Sequence, residues 1–239
     1  MARSLGLYYG VPGRTRRMRR FYAPFVTPGS FCIDVGAHAG NRVRCWRSLG
    51  ARVLAVEPQP DFVTLLKLLY GRDGGVKIVP TALGRTPGEA SMLVSERHPT
   101  VTTLSPAFLD DVAADPTFDH VQWSEPTTVQ VQTLQSLVDR WGVPDFVKID
   151  VEGYEAEVLG GLHTPVRALS FEYLVATREV ALECVDQIAA FGRYRFNWST
   201  GESHVLVSPD WLDADGIRRV LAELPAGAPS GDVYAVRAD

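Results

Sequence analysis

The 239-residue sequence has little of what marks membrane, secreted or zinc-ribbon proteins. Its three cysteines, Cys32, Cys45 and Cys184, are odd in number and form no C-x-x-C pair, which indicates neither a disulfide framework nor a zinc site. No run approaches the about 18 apolar residues that a transmembrane helix needs. The first 13 residues lack the apolar core of a signal peptide. We therefore expect a cytoplasmic protein that does not enter a membrane.

The chain is weakly acidic apart from one basic run near its start. Its formal net charge of −4 argues against a general nucleic-acid binder. The exception is residues 14–20 (RTRRMRR), where five arginines in seven positions can mark a phosphate-bearing partner. The alternative is an amphipathic helix whose arginines face water, because apolar residues recur at helical spacing: Met18, Phe21, Tyr22 and Phe25. We predict that residues 1–27 form a helical extension that acts as a lid.

The order of the apolar segments is typical of an α/β domain, which we assign to residues 28–239. Near-continuous apolar runs such as 51–57 (ARVLAVE) indicate buried strands, and helices of about ten residues separate them. This alternation predicts a parallel sheet, and the crowded last strands predict an antiparallel element at one edge. The predicted strands are 31–36, 51–57, 76–80, 88–95, 128–134, 145–153, 167–175, 193–199, 204–208 and 232–237, and the predicted helices are 41–50, 61–71, 134–142, 154–162, 178–191 and 211–224.

Three acids stand at the ends of predicted strands, where open parallel sheets bind their ligands. Asp34 ends the first strand and is followed by Gly36 and Gly40, Glu57 ends the second, and Asp150 ends the strand at 145–153. Glu57 lies 21 residues after Gly36, the interval at which an acid commonly meets a ribose hydroxyl. This pattern predicts a nucleoside ligand.

The glycine turn distinguishes between two such ligands. An NAD(P)-dependent oxidoreductase remains an alternative, but the turn is D-x-G-x-x-x-G rather than G-x-G-x-x-G, and Asp34 and Asp150 would repel a pyrophosphate. S-adenosylmethionine fits better, because its ammonium and sulfonium groups are positive and it has a ribose but no phosphate. Its carboxylate can accept hydrogen bonds from the N–H groups near Gly40 and Asn41.

Four ordered motifs then resemble those of one family. The segments FCIDVGAHAGNRV, AVEPQP, VPTALG and FVKIDVEGYEAEVL, within residues 20–165, are similar to motifs of the FkbM family of S-adenosylmethionine-dependent methyltransferases. The resemblance implies a class I methyltransferase: a Rossmann-like, doubly wound sheet of seven strands with the last one antiparallel. It also implies methyl transfer, usually to oxygen, with S-adenosylhomocysteine as the product.

The resemblance also implies roles for individual residues. The first motif would line the methionine part of the cofactor, Glu57 would hold the ribose, with Pro58 shaping the turn, and Asp150 would lie close to the methyl group. The loop after the third strand would lie near adenine. The cofactor-binding residues implied are Asp34, Gly36, Ala37, His38, Gly40, Asn41, Glu57, Pro58, Ala82, Leu83 and Asp150.

Each assignment has a simpler alternative. The glycines could serve only the turn, Glu57 could be a solvated strand end, and Asp150 with Glu152 could cap the next helix. A D-x-E pair can also bind magnesium, but no histidine stands nearby in the sequence, and we expect no metal.

Oxygen methylation calls for a base that removes the hydroxyl proton. The candidates are Asp150 first, Glu172 at the end of the next strand second, and His98 in a loop third, although His98 could be an ordinary surface histidine. We expect the acceptor to be a small molecule or a sugar, with no nucleic acid or membrane partner. An RNA-modifying methyltransferase that uses the arginine run remains the alternative. Acceptor specificity is expected from residues 1–27, 96–127 and 195–210, and Trp123, Trp198 and Trp211 could stack on a ring.

Overall fold

The computed structural model describes residues 14–94, 102–103 and 126–238. The helices are α1 (Arg14–Tyr22), α2 (Asn41–Ser48), α3 (Pro60–Tyr70), α4 (Leu134–Trp141), α5 (Glu155–Gly160), α6 (Arg178–Ala190) and α7 (Ala214–Glu223). The strands are β1 (Phe31–Val35), β2 (Arg52–Val56), β3 (Val76–Val79), β4 (Ala82–Leu83), β5 (Gly88–Val94), β6 (Thr102–Thr103), β7 (Thr127–Gln132), β8 (Phe146–Ile149), β9 (Ala168–Tyr173), β10 (Tyr194–Thr200) and β11 (Gly231–Arg237).

A seven-stranded sheet forms the centre of the molecule, in the order β10-β11-β9-β8-β1-β2-β3. Strands β3, β2, β1, β8 and β9 pair in parallel, whereas β11 is antiparallel to both β9 and β10. The antiparallel strand thus lies one position in from the edge. The strand order reverses between β1 and β8, which confirms the predicted doubly wound fold of class I methyltransferases and makes this the point where a ligand is expected.

Both faces of the sheet are covered by helices. Helices α4 to α7 enclose one apolar cluster, and α1, α2 and part of α3 enclose another on the opposite face. Strand β1 is buried along its whole length, as a strand covered on both faces must be. The result is a three-layer α/β/α domain.

The described part of the N-terminal extension packs into this domain. Met18, Tyr22 and Phe25 are buried, and the ring of Tyr22 lies 5.5 Å from that of Trp46 in an edge-on contact. The arginines between and beside them face solvent: Arg16, Arg17, Arg19 and Arg20. None of the described residues of the extension lines the cleft described below, so a lid function stays a prediction.

Two local predictions are wrong. The segment 204–208 is not a strand: within it only Val207 makes a backbone hydrogen bond to β10, donating to the carbonyl of Trp198 at 2.8 Å. His204 at its start has a φ of 51°, outside the extended region, and the side chain of Asn197 takes over the pairing at Ser208. The second error concerns two short strands expected as loops: β4 pairs in parallel with β7, and β6 pairs antiparallel with β5, in a smaller sheet of order β4-β7-β5-β6.

Candidate functional site

A cleft opens at the carboxyl ends of β1, β2 and β8, at the reversal of strand order. It encloses ≈ 980 Å³, its open mouth included. Its lining brings together most of the predicted residues: Gly36, His38, Asn41, Glu57, Pro58, Ala82, Leu83, Asp150 and Glu172. Asp34, Ala37 and Gly40 lie buried behind this lining, and His98 and Trp123 lie outside the described residues.

The turn after β1 is held in place by its neighbours. The N–H groups of Gly36 and Ala37 both donate to the carbonyl of Val56, at 3.0 and 3.1 Å. Gly36 has a φ of 79°, and a Cβ there would lie 1.9 Å from the carbonyl oxygen of Asp150. The backbone geometry alone therefore requires this glycine. The ring centroid of His38 lies 3.7 Å from that of Phe62. Burial lowers the pKa of His38 to about 4, which leaves its ring neutral near pH 7.

The carboxylate of Asp34 is buried without a hydrogen-bond partner. The residue is 1% exposed, and neither oxygen has a partner among the described residues. Burial raises the pKa of Asp34 to about 7, although the charges of Arg42 and Lys148 act in the opposite direction. An unpaired buried carboxylate is costly to the fold unless a ligand completes it.

Glu57 is fixed by the backbone at the end of β2. Its Oε2 accepts a hydrogen bond from the N–H of His38 at 2.8 Å, and its Oε1 accepts one from the N–H of Gln59 at 2.9 Å. At 2% exposure it is not a solvated strand end. Burial raises its pKa to about 7 despite these two hydrogen bonds. The remaining lone pairs of the Glu57 carboxylate could accept hydrogen bonds from two neighbouring hydroxyl groups.

Three further carboxyl groups cluster at the cleft. Oxygens of Asp150, Glu152 and Glu172 lie within 4.8 Å of one another, close enough to share a cation. Within the described residues, the cations that reach Asp150 Oδ2 are Lys148 Nζ at 3.3 Å and Arg42 Nη2 at 3.4 Å. The cluster is thus already partly neutralised by the protein, and the expectation of no metal stays a prediction.

The members of this cluster differ in how readily they ionise. Burial opposes ionisation of Asp150, but Lys148 and Arg42 outweigh it and lower the pKa of this carboxyl. Burial, followed by the charge of Asp150, raises the pKa of Glu172 well above its ordinary range, and the same two causes raise that of Glu152. Asp150 is therefore the ionised member, and its neighbours hold protons more tightly.

Helix α5 has no side-chain cap, because its N-cap residue, Tyr154, makes no capping hydrogen bond. Glu155, in the first turn of α5, accepts hydrogen bonds through Oε1 from the N–H groups of Val151 at 3.0 Å and Gly153 at 3.4 Å. Glu152 has a φ of 51° and lines the cleft instead. The alternative in which Asp150 and Glu152 serve as caps is not what the structure contains.

Sequence reasoning missed four charged residues around the cleft: Arg42, Lys148, Glu202 and Asp232. One signal was readable, because Lys148 interrupts an otherwise apolar strand (FVKI). Arg42 stands directly after Asn41 in the first motif, whereas Glu202 and Asp232 come from distant segments that only the fold joins. Trp198 and Trp211 pack beside the two apolar clusters and do not line the cleft, which argues against their stacking on an acceptor there.

Together, the sheet order and the cleft at its reversal define a class I methyltransferase fold. Residues 34–186, more than half of the chain, match the family model of the methyltransferase FkbM domain. The chain belongs to the FkbM family of S-adenosylmethionine-dependent methyltransferases, and this membership decides against the oxidoreductase alternative.

Solved structures of similar fold are distant in sequence. They include the C-terminal domain of precorrin-6Y C5,15-methyltransferase from Rhodobacter capsulatus, at 15% identity over 92% of this chain and 88% of that one, with a TM-score of 0.42. Another is Aeropyrum pernix fibrillarin with natively bound S-adenosyl-L-methionine, at 11% identity over 89% and 68%, with a TM-score of 0.47. No curated protein matches significantly. In the part of the chain that the structure describes, no helix has the length and apolar character to span a membrane.

Proposed function

We propose that the protein binds S-adenosylmethionine in this cleft and methylates a hydroxyl oxygen of a small molecule or sugar. The observation that carries the proposal is the pair of buried carboxylates at adjacent strand ends, Asp34 without a partner and Glu57 aimed by two backbone N–H groups. One suits a cationic group and the other a ribose diol. Both requirements meet in S-adenosylmethionine.

The chain's own residues fit that cofactor. Asp34 would balance the ammonium, Glu57 would accept hydrogen bonds from the ribose hydroxyls, and Ala82 and Leu83 would lie beside adenine. Bound S-adenosylmethionine supplies a methyl group activated by a sulfonium. Within the carboxylate cluster, Asp150 is held ionised and would offer its negative charge to a cationic ligand.

Two neighbouring carboxyl groups, Asp150 and Glu172, would have different roles in the transfer: one is the anion that faces the cationic donor and the other is the base. A carboxylate with a raised pKa accepts a proton more readily than one with a lowered pKa. Asp150, the first candidate from the sequence, is held ionised by Lys148 and Arg42 and is therefore a weak base. Burial and the charge of Asp150 raise the pKa of Glu172, whose side chain is within hydrogen-bond reach of Asp150. We assign the base to Glu172 and the cation-facing role to Asp150, with His98 as the remaining candidate.

Calorimetric titration with S-adenosylmethionine, S-adenosylhomocysteine and NAD tests the cofactor. We expect both sulfur ligands to bind and NAD not to bind. Binding of NAD alone, or of none of the three, would contradict the proposal. Transfer of a labelled methyl group to a panel of phenols, sugars and aliphatic alcohols then tests the acceptor class, with an RNA transcript mixture as the competing arm. Label in RNA alone would favour the RNA-modifying alternative.

A further inference from the structure

Lys148 is a fully buried lysine in the centre of the sheet. It lies in β8 at 0% exposure, and in the strand register it stands beside Asp34 of β1 and Ser170 of β9. Burying an ammonium costs several kcal/mol on the order-of-magnitude scale for ions, and an apolar side chain of similar volume is often as stable. A lysine here therefore calls for an explanation other than core packing.

The ammonium group has three acceptors within the described residues. Lys148 Nζ donates to the carbonyl of Ile149 at 3.1 Å, and it lies 2.8 Å from Asp232 Oδ1 and 3.3 Å from Asp150 Oδ2. Three acceptors match the three protons of an ammonium group, so its direction is fixed. Only one of the three, Asp150, lines the cleft.

Asp232 is held in turn on the side away from the cleft. Its Oδ2 accepts a hydrogen bond from the hydroxyl of Tyr234 at 3.0 Å, within β11. The antiparallel strand β11 thus supplies a rigid carboxylate that anchors the lysine from behind. The chain of contacts runs from Tyr234 through Asp232 and Lys148 to the carboxylate at the cleft.

We propose that Lys148 is a positioning residue for methyl transfer: anchored by Asp232, its ammonium keeps the Asp150 carboxylate ionised and oriented into the cleft. This role of Lys148 rests on the proposed function, in which Asp150 faces a cationic methyl donor. The two adjacent acids, Asp150 and Glu172, then have different roles. Asp150 stays an anion, and Glu172 remains the group that exchanges a proton.

The surrounding charges support this division. Lys148 is the largest influence favouring the anion of Asp150 and lowers its pKa against the effect of burial. Arg42 of α2 acts in the same direction from the other side, and its Nη2 also lies 3.3 Å from Glu202. Other ionisable groups face this network from α1, β1 and the turn after it, β9, β11, the 150–154 loop, α5 and the turn after β10: Tyr22, Asp34, His38, Glu172, Asp232, Tyr234, Glu152, Glu155, Glu202 and His204.

The test is a ¹³C NMR titration of protein labelled at the aspartate carboxyl carbon, with the Asp150 signal assigned by its loss in Asp150→Asn. Lys148→Met alone leaves two buried acids without their cation and can fail to fold, so the decisive variant is Lys148→Met with Asp232→Asn. We expect the midpoint of the Asp150 titration to rise by about one pH unit or more, a tenfold change in proton affinity. Lys77→Met, which removes an exposed lysine of β3, is the matched control and should change nothing.

An unchanged Asp150 midpoint in the folded double variant would overturn the inference. Once an acceptor is known, the acid limb of the pH dependence of kcat should move to higher pH in the double variant, which a purely structural role would not cause. The NMR titration needs no ligand, so it separates the two proposals. Wild-type protein that fails to bind S-adenosylmethionine would overturn the proposed function, while the titration still decides whether Lys148 controls Asp150.

Discussion

The carbonyl oxygen of Asp150 lies 1.9 Å from the position that a Cβ atom would take at Gly36. The glycine turn after β1 and the end of β8 are therefore in direct backbone contact across the reversal of strand order. Gly36 is needed for this approach as well as for its φ of 79°. The same contact holds the backbone of Asp150 at the floor of the cleft.

Gly36→Ala should destabilise the protein by about 3 kcal/mol or more, because a left-handed conformation and a backbone overlap combine. Chemical denaturation measures the loss. Gly88→Ala is the control, since a Cβ there meets nothing within 4 Å, and its free energy of unfolding should stay within about 0.5 kcal/mol of the wild type. Equal stability of the two variants would contradict this packing.

Glu57→Gln should weaken S-adenosylmethionine binding. The amide keeps the shape of the side chain but turns one acceptor into a donor, which faces the N–H of His38 or Gln59. Loss of hydrogen bonds to a charged group predicts a cost of roughly 1.5–3 kcal/mol, measured as the dissociation constant by calorimetry. Glu157→Gln changes an exposed acid paired with Arg85 and should leave the affinity unchanged. If both variants bind like the wild type, Glu57 does not hold the ribose.

The fold was largely predictable because its strands are buried on both faces. The apolar runs of β1, β2 and β8 leave no ambiguity about strand or helix, and their spacing implies parallel pairing. Segment 204–208 has the same composition as a strand, but Val205 and Val207 are 60% and 50% exposed. Composition cannot reveal that the neighbouring strand is bridged there by the side chain of Asn197.

From the sequence, site residues could be predicted only where they stand at the end of a predicted strand. Asp34, Glu57 and Asp150 could be found because the carboxyl ends of parallel strands converge on one edge. Asp232 contacts the site from a strand that begins 82 residues after β8 ends, and Arg42 reaches it from the first turn of α2. The environment of the Asp150 carboxylate was unpredictable for the same reason, since Lys148 and Arg42 contact it only in the folded chain.

The raised pKa of Asp34 predicts how stability depends on pH. Burial moves it from 3.8 to about 7, so the folded protein favours the protonated form. Its contribution is fully present below the unfolded pKa and is lost as the pH rises through about 7. Asp34→Asn should therefore show a smaller fall in melting temperature between about pH 5 and 8 than the wild type.

Ionisation of Asp34 should have the opposite effect on ligand binding: it lowers the stability of the unliganded protein but raises the affinity for a cationic ligand. In the proposed function the charge of ionised Asp34 attracts a cationic ligand in the cleft, so the affinity for S-adenosylmethionine should rise across the pH range in which the unliganded protein loses stability. In Asp34→Asn this rise should shrink. Calorimetry at several pH values checks both statements. A pH-independent affinity in the wild type would mean that Asp34 does not face the ammonium group.

The variants Asp150→Asn and Glu172→Gln distinguish the residue that supplies a negative charge from the residue that acts as the base, because they should affect binding and turnover differently. Both changes are isosteric, and both acids line the cleft. Glu172→Gln should keep the dissociation constant of S-adenosylmethionine within about threefold and lower single-turnover methyl transfer by about 10²- to 10⁴-fold, the usual contribution of a general base. Asp150→Asn should weaken binding and turnover together, because it removes the anion that Lys148 and Arg42 hold at the cleft. Full turnover in Glu172→Gln would move the base elsewhere, with His98 as the next residue to replace.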